Sequence, residues 1–246
     1  MSRRARLRGP VERHAVLDST NRLAARRALE GGPEGLVVRA DRQEQGRGRR
    51  ERSWHSPPGG LWFTVLLRPP TLEGLSLVAG LACVRATRRL GVASSWRWPN
   101  DVYVGPRKLA GILAEGRLAG SEVASALIGI GLNVNLGLQD FPEELQGLAT
   151  SLALELGAEL DPDRVLETVL DELDAVYTLY MEQGFQALGP ELEATCSTLG
   201  RRVQVLTEQG SRTGRAERLG PDGALVLDDG TTFHSVERVR VLDDPA

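Results

Sequence analysis

Residues 41–54 read Asp-Arg-Gln-Glu-Gln-Gly-Arg-Gly-Arg-Arg-Glu-Arg-Ser-Trp, and the reading of the chain turns on them. Leu36-Val37-Val38 precedes the stretch and a second apolar run, Leu61 to Leu67, follows it. Both runs read as strands, so the arginines sit in the connection between them. A Gly-Arg alternation in that place is hard to explain as packing. Glycine at Gly46 and Gly48 reaches φ > 0 without steric penalty, so successive backbone N–H groups are expected to turn to one side as a nest. Arginine adds permanently charged, fork-shaped donors that match carboxylate or phosphate oxygens. The loop reads as a cradle for an anionic ligand, and a solvated basic loop is the plainer alternative.

Upstream of the cradle, Asp18-Ser19-Thr20-Asn21 opens a helical stretch over residues 22–30 that Gly31-Gly32-Pro33 closes. Such residues suit simple N-capping, and a helix N-terminus also offers free N–H groups to a ligand. A short strand is expected over residues 14–17, and residues 1–11 read as a frayed basic tail. Downstream, Leu77, Val78, Leu81, Val84 and Leu90 keep helical spacing over residues 74–90, ended by Gly91. Trp98-Pro99-Asn100-Asp101 follows, then a turn at Gly105-Pro106. Lys108 opens a strand over residues 109–115 that contains Gly111, and a longer strand over 123–134 carries Gly129 and Gly131. Glycine weakens a strand unless something approaches its backbone closely, which points to a ligand lying on this sheet.

Asp161-Pro162 starts an amphipathic helix reaching Met181, and residues 185–199 continue helically with a break at Gly189-Pro190. After Gly200 the pattern changes to five short β runs separated by turns, which read as a small barrel.

With 246 residues, 41% apolar and 26% charged, the chain has the composition of an ordinary globular protein. Its net charge of -3 supplies no global field toward nucleic acid, so the local positive charge favours a small anionic ligand. Two cysteines, Cys83 and Cys196, in apolar helical-looking segments, do not make a disulfide framework. No apolar h-region follows the basic N-terminus, and no run approaches the roughly 18 apolar residues that span a bilayer. The expected location is cytoplasmic, without membrane contact.

Three further residues carry chemistry. Lys108, at a strand start after a turn, can reach a phosphate, or it is a solvated lysine. Asp101 can hold Mg²⁺ through water, or it caps the Asn-Asp bend. Trp54 can stack on a base, or it is core.

Taken in order, Asp18-Ser19-Thr20-Asn21, Gly46-Arg47-Gly48-Arg49-Arg50, Trp98-Pro99-Asn100-Asp101, Lys108-Leu109-Ala110-Gly111-Ile112-Leu113 and Gly129-Ile130-Gly131-Leu132-Asn133-Val134-Asn135 closely resemble the catalytic domain of the biotin protein ligases, also called biotin–acetyl-CoA-carboxylase ligases. The motifs cover residues 12–140. The resemblance implies an α+β fold: a mixed β-sheet with flanking helices, of the class II aminoacyl-tRNA synthetase/biotin synthetase type, over residues 12–199. A small SH3-like β-barrel is implied over residues 200–246.

It also implies an ATP-dependent, AMP-forming ligase. Biotin and ATP give biotinyl-5′-AMP and pyrophosphate, and the biotinyl group then passes to a lysine on a carboxyl carrier domain of a carboxylase. By the resemblance, Ser19, Thr20 and Gln43 bind the ureido ring of biotin, with Asn21 and Gly46 in the same set. Arg47, Gly48 and Arg49 wrap its carboxylate and then the adenylate phosphate. Lys108 bridges carboxylate and α-phosphate and, with Arg49, carries catalysis. Gly111 lets the ligand lie flat on the sheet. Trp54, Asn100 and Asn133 serve the nucleotide together with Arg47, Arg49 and Lys108, and Asp101 serves Mg²⁺ arriving with ATP.

Two departures from the family pattern stand out: Arg97 where Lys is usual, and Glu51 where Gly is usual. Some family members carry an N-terminal DNA-binding domain. Only 18 residues precede Ser19, so a ligase that does not bind DNA is expected. Homodimers are common in the resembled family. The competing readings are a lipoate or octanoate ligase or transferase on the same fold, a nucleic-acid binder using the arginine loop, and an interaction module built on the β-rich tail.

Overall fold

The structure, a computed structural model, describes residue 7 and residues 9–243. Its centre is strand β3, Leu61–Leu67, all seven of whose residues are buried. Both faces of that strand are covered, so apolar residues run continuously instead of alternating. Around it lie β1 (Val11–Leu17), β2 (Val37–Gln43), β4 (Ser95–Arg97), β5 (Asp101–Val104), β6 (Arg107–Ala119) and β7 (Glu122–Leu132). They form one sheet in the order β1-β2-β3-β7-β6-β5-β4. The β1–β2 pair is parallel and the other pairs are antiparallel, so the sheet is mixed.

Helix α1 (Thr20–Leu29) joins β1 to β2 across one face, where Leu23 and Ala24 pack with Leu36, Val38, Leu66 and Leu127. The opposite face meets α2 (Leu75–Arg89), and the amphipathic helix α4 (Pro162–Gln183) lies against α2. A short helix, α3 (Leu152–Leu156), precedes α4, with the Ser151 hydroxyl as its N-cap. Leu77, Leu81 and Val84 share one core with Phe63, Ile128, Ile130, Val165, Val169 and Leu173. The two faces therefore differ in kind: one is a continuous apolar core, and the α1 face bears Thr64, Gly111, Gly129 and Gly131.

The C-terminal residues form a second, antiparallel sheet of β8 (Arg202–Thr207), β9 (Gly210–Leu219), β10 (Leu225–Leu227), β11 (Thr232–Phe233) and β12 (Arg238–Val241), in the order β11-β10-β9-β8-β12. Val203, Val205, Ala216, Leu225 and Leu227 join the same core cluster as α2 and the large sheet. The class is α+β, as expected.

Three expectations change. The basic tail over residues 1–11 falls largely outside the described residues, but its described part is ordered rather than frayed. Leu7 is buried and its N–H donates to Asp174 Oδ1 at 2.9 Å, and β1 begins at Val11 because it pairs with β2. Helix does not continue to residue 199. After a 3₁₀ turn at Phe185–Leu188, helix α5 (Gly189–Thr195) stops, and Cys196 runs extended, bridging Trp96 while Ser197 N–H donates to the Trp96 carbonyl. Edge strand β4 supplies the acceptor that ends the helix. Finally, β6 extends on to Ala119 because the β7 partner is long enough to pair with it.

Candidate active site

The arginine stretch folds as a small hairpin. Arg47 bridges Ser53, Gly48 N–H donates to Arg52 O at 2.6 Å, and Trp54 N–H donates to Gly46 O at 2.8 Å. The tight turn falls on Arg50 and Glu51, with φ of 53° and 59°. Two consecutive left-handed residues make the turn that matches the strand twist of a hairpin, normally supplied by Asn-Gly. This overturns the expected glycine nest, since Gly48 is extended at φ -109° and Gly46 is not in the left-handed region either. Gly46 is needed for close approach: a Cβ there would lie 2.4 Å from Trp54 O and 2.6 Å from Ser56 Oγ. The Glu51 departure sits where glycine would relieve backbone strain.

From the hairpin base a chain of polar contacts crosses the α1 face. Arg47 Nη1 pairs with Glu115 Oε1 at 3.1 Å, and Glu115 Oε2 accepts from Asn21 Nδ2 at 2.7 Å. Asn21 Oδ1 accepts from Thr64 Oγ1 at 2.5 Å, and Thr64 Oγ1 lies 2.8 Å from Thr20 Oγ1. Thr20 N–H and Oγ1 both donate to Gln43 Oε1, at 2.8 and 3.1 Å. Gln43 Nε2 donates to Ser56 Oγ, which donates to the Trp54 carbonyl at 3.1 Å. The chain thus begins and ends in the hairpin. Ser19 makes no capping hydrogen bond, so the plain capping reading fails for its side chain, which lines the cavity instead.

That cavity, of about 140 Å³, is bordered by Ser19, Thr20, Asn21, Gln43, Arg47, Gly48, Arg49, Trp54, Asn100, Asp101, Lys108 and Gly111. The three cations singled out in the sequence therefore meet around one space. A second space of about 380 Å³ adjoins it, lined also by Arg97, Tyr103, Asn133, Leu145, Leu148 and Glu237. Arg49, Trp54, Asn100, Asp101 and Lys108 border both.

The glycine floor is occupied by the protein itself. A Cβ on Gly131 would meet Trp54 Nε1 at 2.4 Å, and one on Gly111 would meet the indole ring at 2.8 Å. Gly111 therefore makes room for the Trp54 ring, a correction to the idea that it leaves bare sheet for a ligand. The indole also packs edge-on to Trp62, with Lys108 Nζ 5.0 Å from its centroid. Its Nε1–H is buried against Gly131 without a hydrogen-bond partner among the described residues.

Lys108 Nζ forms an ion pair with Asp101 Oδ1 at 2.7 Å, so the phosphate candidate and the metal candidate are partners here. An ammonium has three donors and keeps two free for a ligand. Among the described residues no cluster of three His, Cys, Asp or Glu side chains could hold a metal. Among the described residues Asp101 is the one carboxylate bordering both spaces. Mg²⁺ is commonly held by one or two carboxylates plus substrate phosphates, so this donor set fits an ion that arrives on a nucleotide and not a resident metal. Asn100 Nδ2 is tied to the Ile112 carbonyl, and Asn133 Nδ2 to the Thr150 carbonyl, so the Asn133 amide first holds a neighbouring loop. Arg97 lies 3.9 Å over the Tyr103 ring, a stacking role that a planar guanidinium fills better than an ammonium.

The hairpin tip leans on the C-terminal sheet. Arg49 Nη2 and Arg50 Nε donate to the Val236 carbonyl at 3.2 and 3.3 Å, and Arg52 Nη2 to the Glu237 carbonyl at 3.2 Å. Arg50 also pairs with the exposed Glu208 at 3.2 Å. Burial pushes the Arg49 guanidinium down from its ordinary value, Arg50 and Arg52 add to this by repulsion, and Asp101 opposes it. Of Arg47, Arg49 and Lys108, Arg49 alone has no carboxylate partner within ion-pair distance among the described residues.

Sequence reasoning missed Glu115, Thr64, Ser56 and the 236–237 main chain. Glu115 and Thr64 carried a signal. In β6 and β3 they alternate onto the face of Gly111 and Gly129, where polar residues have no core to join. The contact with 236–237 carried none, because it uses backbone atoms.

A model of the Biotin/lipoate A/B protein ligase family matches residues 14–133. The bifunctional ligase/repressor BirA of Bacillus subtilis is 36% identical over 221 residues, covering 87% of this chain and 68% of its own length. The biotin–acetyl-CoA-carboxylase ligase of Mycobacterium tuberculosis is 34% identical, covering 94% of each chain. Among solved structures, biotin protein ligase from Aquifex aeolicus in complex with biotin and ATP matches with a TM-score of 0.83 at 32% identity, over 94% of this chain and 98% of that one.

Proposed function

The chain belongs to the biotin protein ligases of the biotin/lipoate A/B protein ligase family, and from that premise we propose that it activates biotin with ATP and hands the biotinyl group to a carrier lysine. In the first step an oxygen of the biotin carboxylate attacks the α-phosphorus of ATP. A C–O–P linkage forms as the bond to the bridging oxygen breaks, giving biotinyl-5′-AMP and pyrophosphate. In the second, the uncharged ε-amine of a lysine on a carboxyl carrier domain attacks the acyl carbon. An amide forms, AMP leaves with the bonding pair, and the amine proton goes to solvent.

The observation that carries this reading is the shared wall between the two spaces. A carboxylate attacking a phosphate brings two anions together, so positive charge is needed where they meet. Arg49 and Lys108 stand on that wall, with Ser19, Thr20 and Gln43 on the smaller cavity and Asn133 and Arg97 on the larger. The ureido head of biotin takes the Ser19, Thr20, Asn21 and Gln43 end, with Gly46 and Gly48 shaping the hairpin above it. The carboxylate and then the α-phosphate take Arg49 and Lys108. Trp54, Asn100 and Asn133 face the nucleotide. Asp101 would meet a Mg²⁺ ion carried by the triphosphate, which would supply neutralisation of the phosphate charge there. No helix among the described residues is long and apolar enough to cross a membrane, and two free cysteines suit the reducing cytoplasm, where we place the protein.

Pyrophosphate exchange into ATP, measured with biotin, without it, and with lipoate or octanoate instead, tests the proposal. Exchange is expected only with biotin. Exchange that needs no acid, or that lipoate supports and biotin does not, overturns it.

A further inference from the structure

Resting on the biotin-ligase reading of the same site, we propose that Glu115 is a positioning residue that orients Asn21 and neutralises Arg47, making the inner end of the acid cavity fit an uncharged ligand head. Strand alternation puts Glu115 on the face of Gly111 and Leu113, opposite Leu127 of β7. Its carboxylate stands outside the smaller cavity. It borders a separate space of about 260 Å³ behind Asn21 and Arg47, so it acts through those two side chains and not on the ligand.

An ionised carboxylate only accepts hydrogen bonds. Glu115 Oε2 therefore requires the Asn21 amide nitrogen on its side, at 2.7 Å, which turns Asn21 Oδ1 to the Thr64 hydroxyl and against Gly129. A Cβ on Gly129 would lie 2.2 Å from that oxygen, so Asn21 is pressed flat on the sheet in one orientation. The other oxygen, Oε1, holds Arg47 Nη1 at 3.1 Å. Charge-assisted contacts of this kind are about twice as strong as neutral ones.

The pairing divides the cavity. Arg47 is balanced by Glu115, so the inner end carries little net charge. Among the described residues Arg49 has no carboxylate within ion-pair distance, and Lys108 keeps free donors beyond Asp101, so an incoming acid is drawn to the outer end. The expectation that Arg47 wraps the carboxylate is replaced: Arg47 becomes a wall for the neutral head.

The test uses the full chain carrying Glu115→Gln, with Glu115→Asp beside it. For Glu115→Gln the KM for biotin in pyrophosphate exchange is expected to rise about tenfold, the effect of losing a hydrogen bond to a charged group. Its kcat and KM for ATP should stay within about twofold of wild type, since the outer end is untouched. Trypsin should cut the ligand-free hairpin at its arginines faster. Glu115→Asp, which keeps the charge, should lie between wild type and Glu115→Gln on both measures. An unchanged biotin KM with unchanged cleavage overturns the proposal. So does an equal fall in kcat for both variants with a drop in Tm, which would mark a merely structural role. If the wild-type chain shows no biotin-dependent exchange, the ligase reading fails by itself, and the trypsin comparison still decides whether Glu115 holds the hairpin.

Discussion

The base and the tip of the arginine hairpin are held by different kinds of contact. At the base, Arg47, Asn21, Thr20 and Gln43 meet buried or half-buried side chains at 2.5 to 3.1 Å. At the tip, Arg49, Arg50 and Arg52 reach two main-chain carbonyls at 3.2 to 3.3 Å, and Arg50 also pairs with the exposed Glu208 at 3.2 Å and the half-buried Glu237 at 3.9 Å. Stripping a buried polar group of its partner costs about 1–3 kcal/mol, whereas an exposed ion pair contributes about 0–1 kcal/mol. The base is a fixed fitting and the tip a releasable one. Among the described residues, Arg49 donates to the Val236 carbonyl and to Asn100 Oδ1 at 3.4 Å, both neutral acceptors, and a charge-assisted bond to an anionic ligand wins over these.

The largest effect is expected between the two ends, at Lys108. Lys108→Ala should slow single-turnover pyrophosphate release by about 10²–10³, the usual result of removing one donor to developing charge. Near-normal release would show that the releasable tip suffices and that the ammonium is ancillary. Next comes the tip. Arg49→Gly should still form the adenylate but lose most of it during gel filtration, because the hairpin no longer covers the product. Undiminished retention would erase the functional distinction between tip and base. The smallest effect is expected at the turn. Replacing Glu51 by Gly removes a left-handed non-glycine residue and should stabilise the protein by about 1 kcal/mol, raising Tm by about 2–4 °C. A fall in Tm would mean that the Glu51 side chain contributes more than its backbone strain costs.

Legibility along the sequence followed local strength of pattern. The apolar run of β3 matches its observed bounds, and α2 was readable from the spacing of Leu77, Leu81 and Val84, because burial on one side of a helix leaves a periodic trace. Helix α5 was overread because residues 196–199 have no strong local preference, and the Trp96 carbonyl captures them. Gly46 was singled out correctly for the wrong reason. A sequence does not distinguish a glycine that needs φ > 0 from one pressed against a neighbouring carbonyl. Trp54 likewise read as a stacking side chain, but that Gly111 and Gly131 are the surface beneath it follows only from the pairing of β6 with β7.

The sequence by itself determined the α+β class, the order of the binding motifs and the residue types that attract an acid and a phosphate, since each is written in contiguous residues. Only the tertiary structure decided which charges answer each other: Arg47 with Glu115, Lys108 with Asp101, and Arg49 with no carboxylate within ion-pair distance among the described residues. Those pairings depend on strand register and on how the hairpin lies over the sheet, and electrostatic energy follows distance through space rather than along the chain.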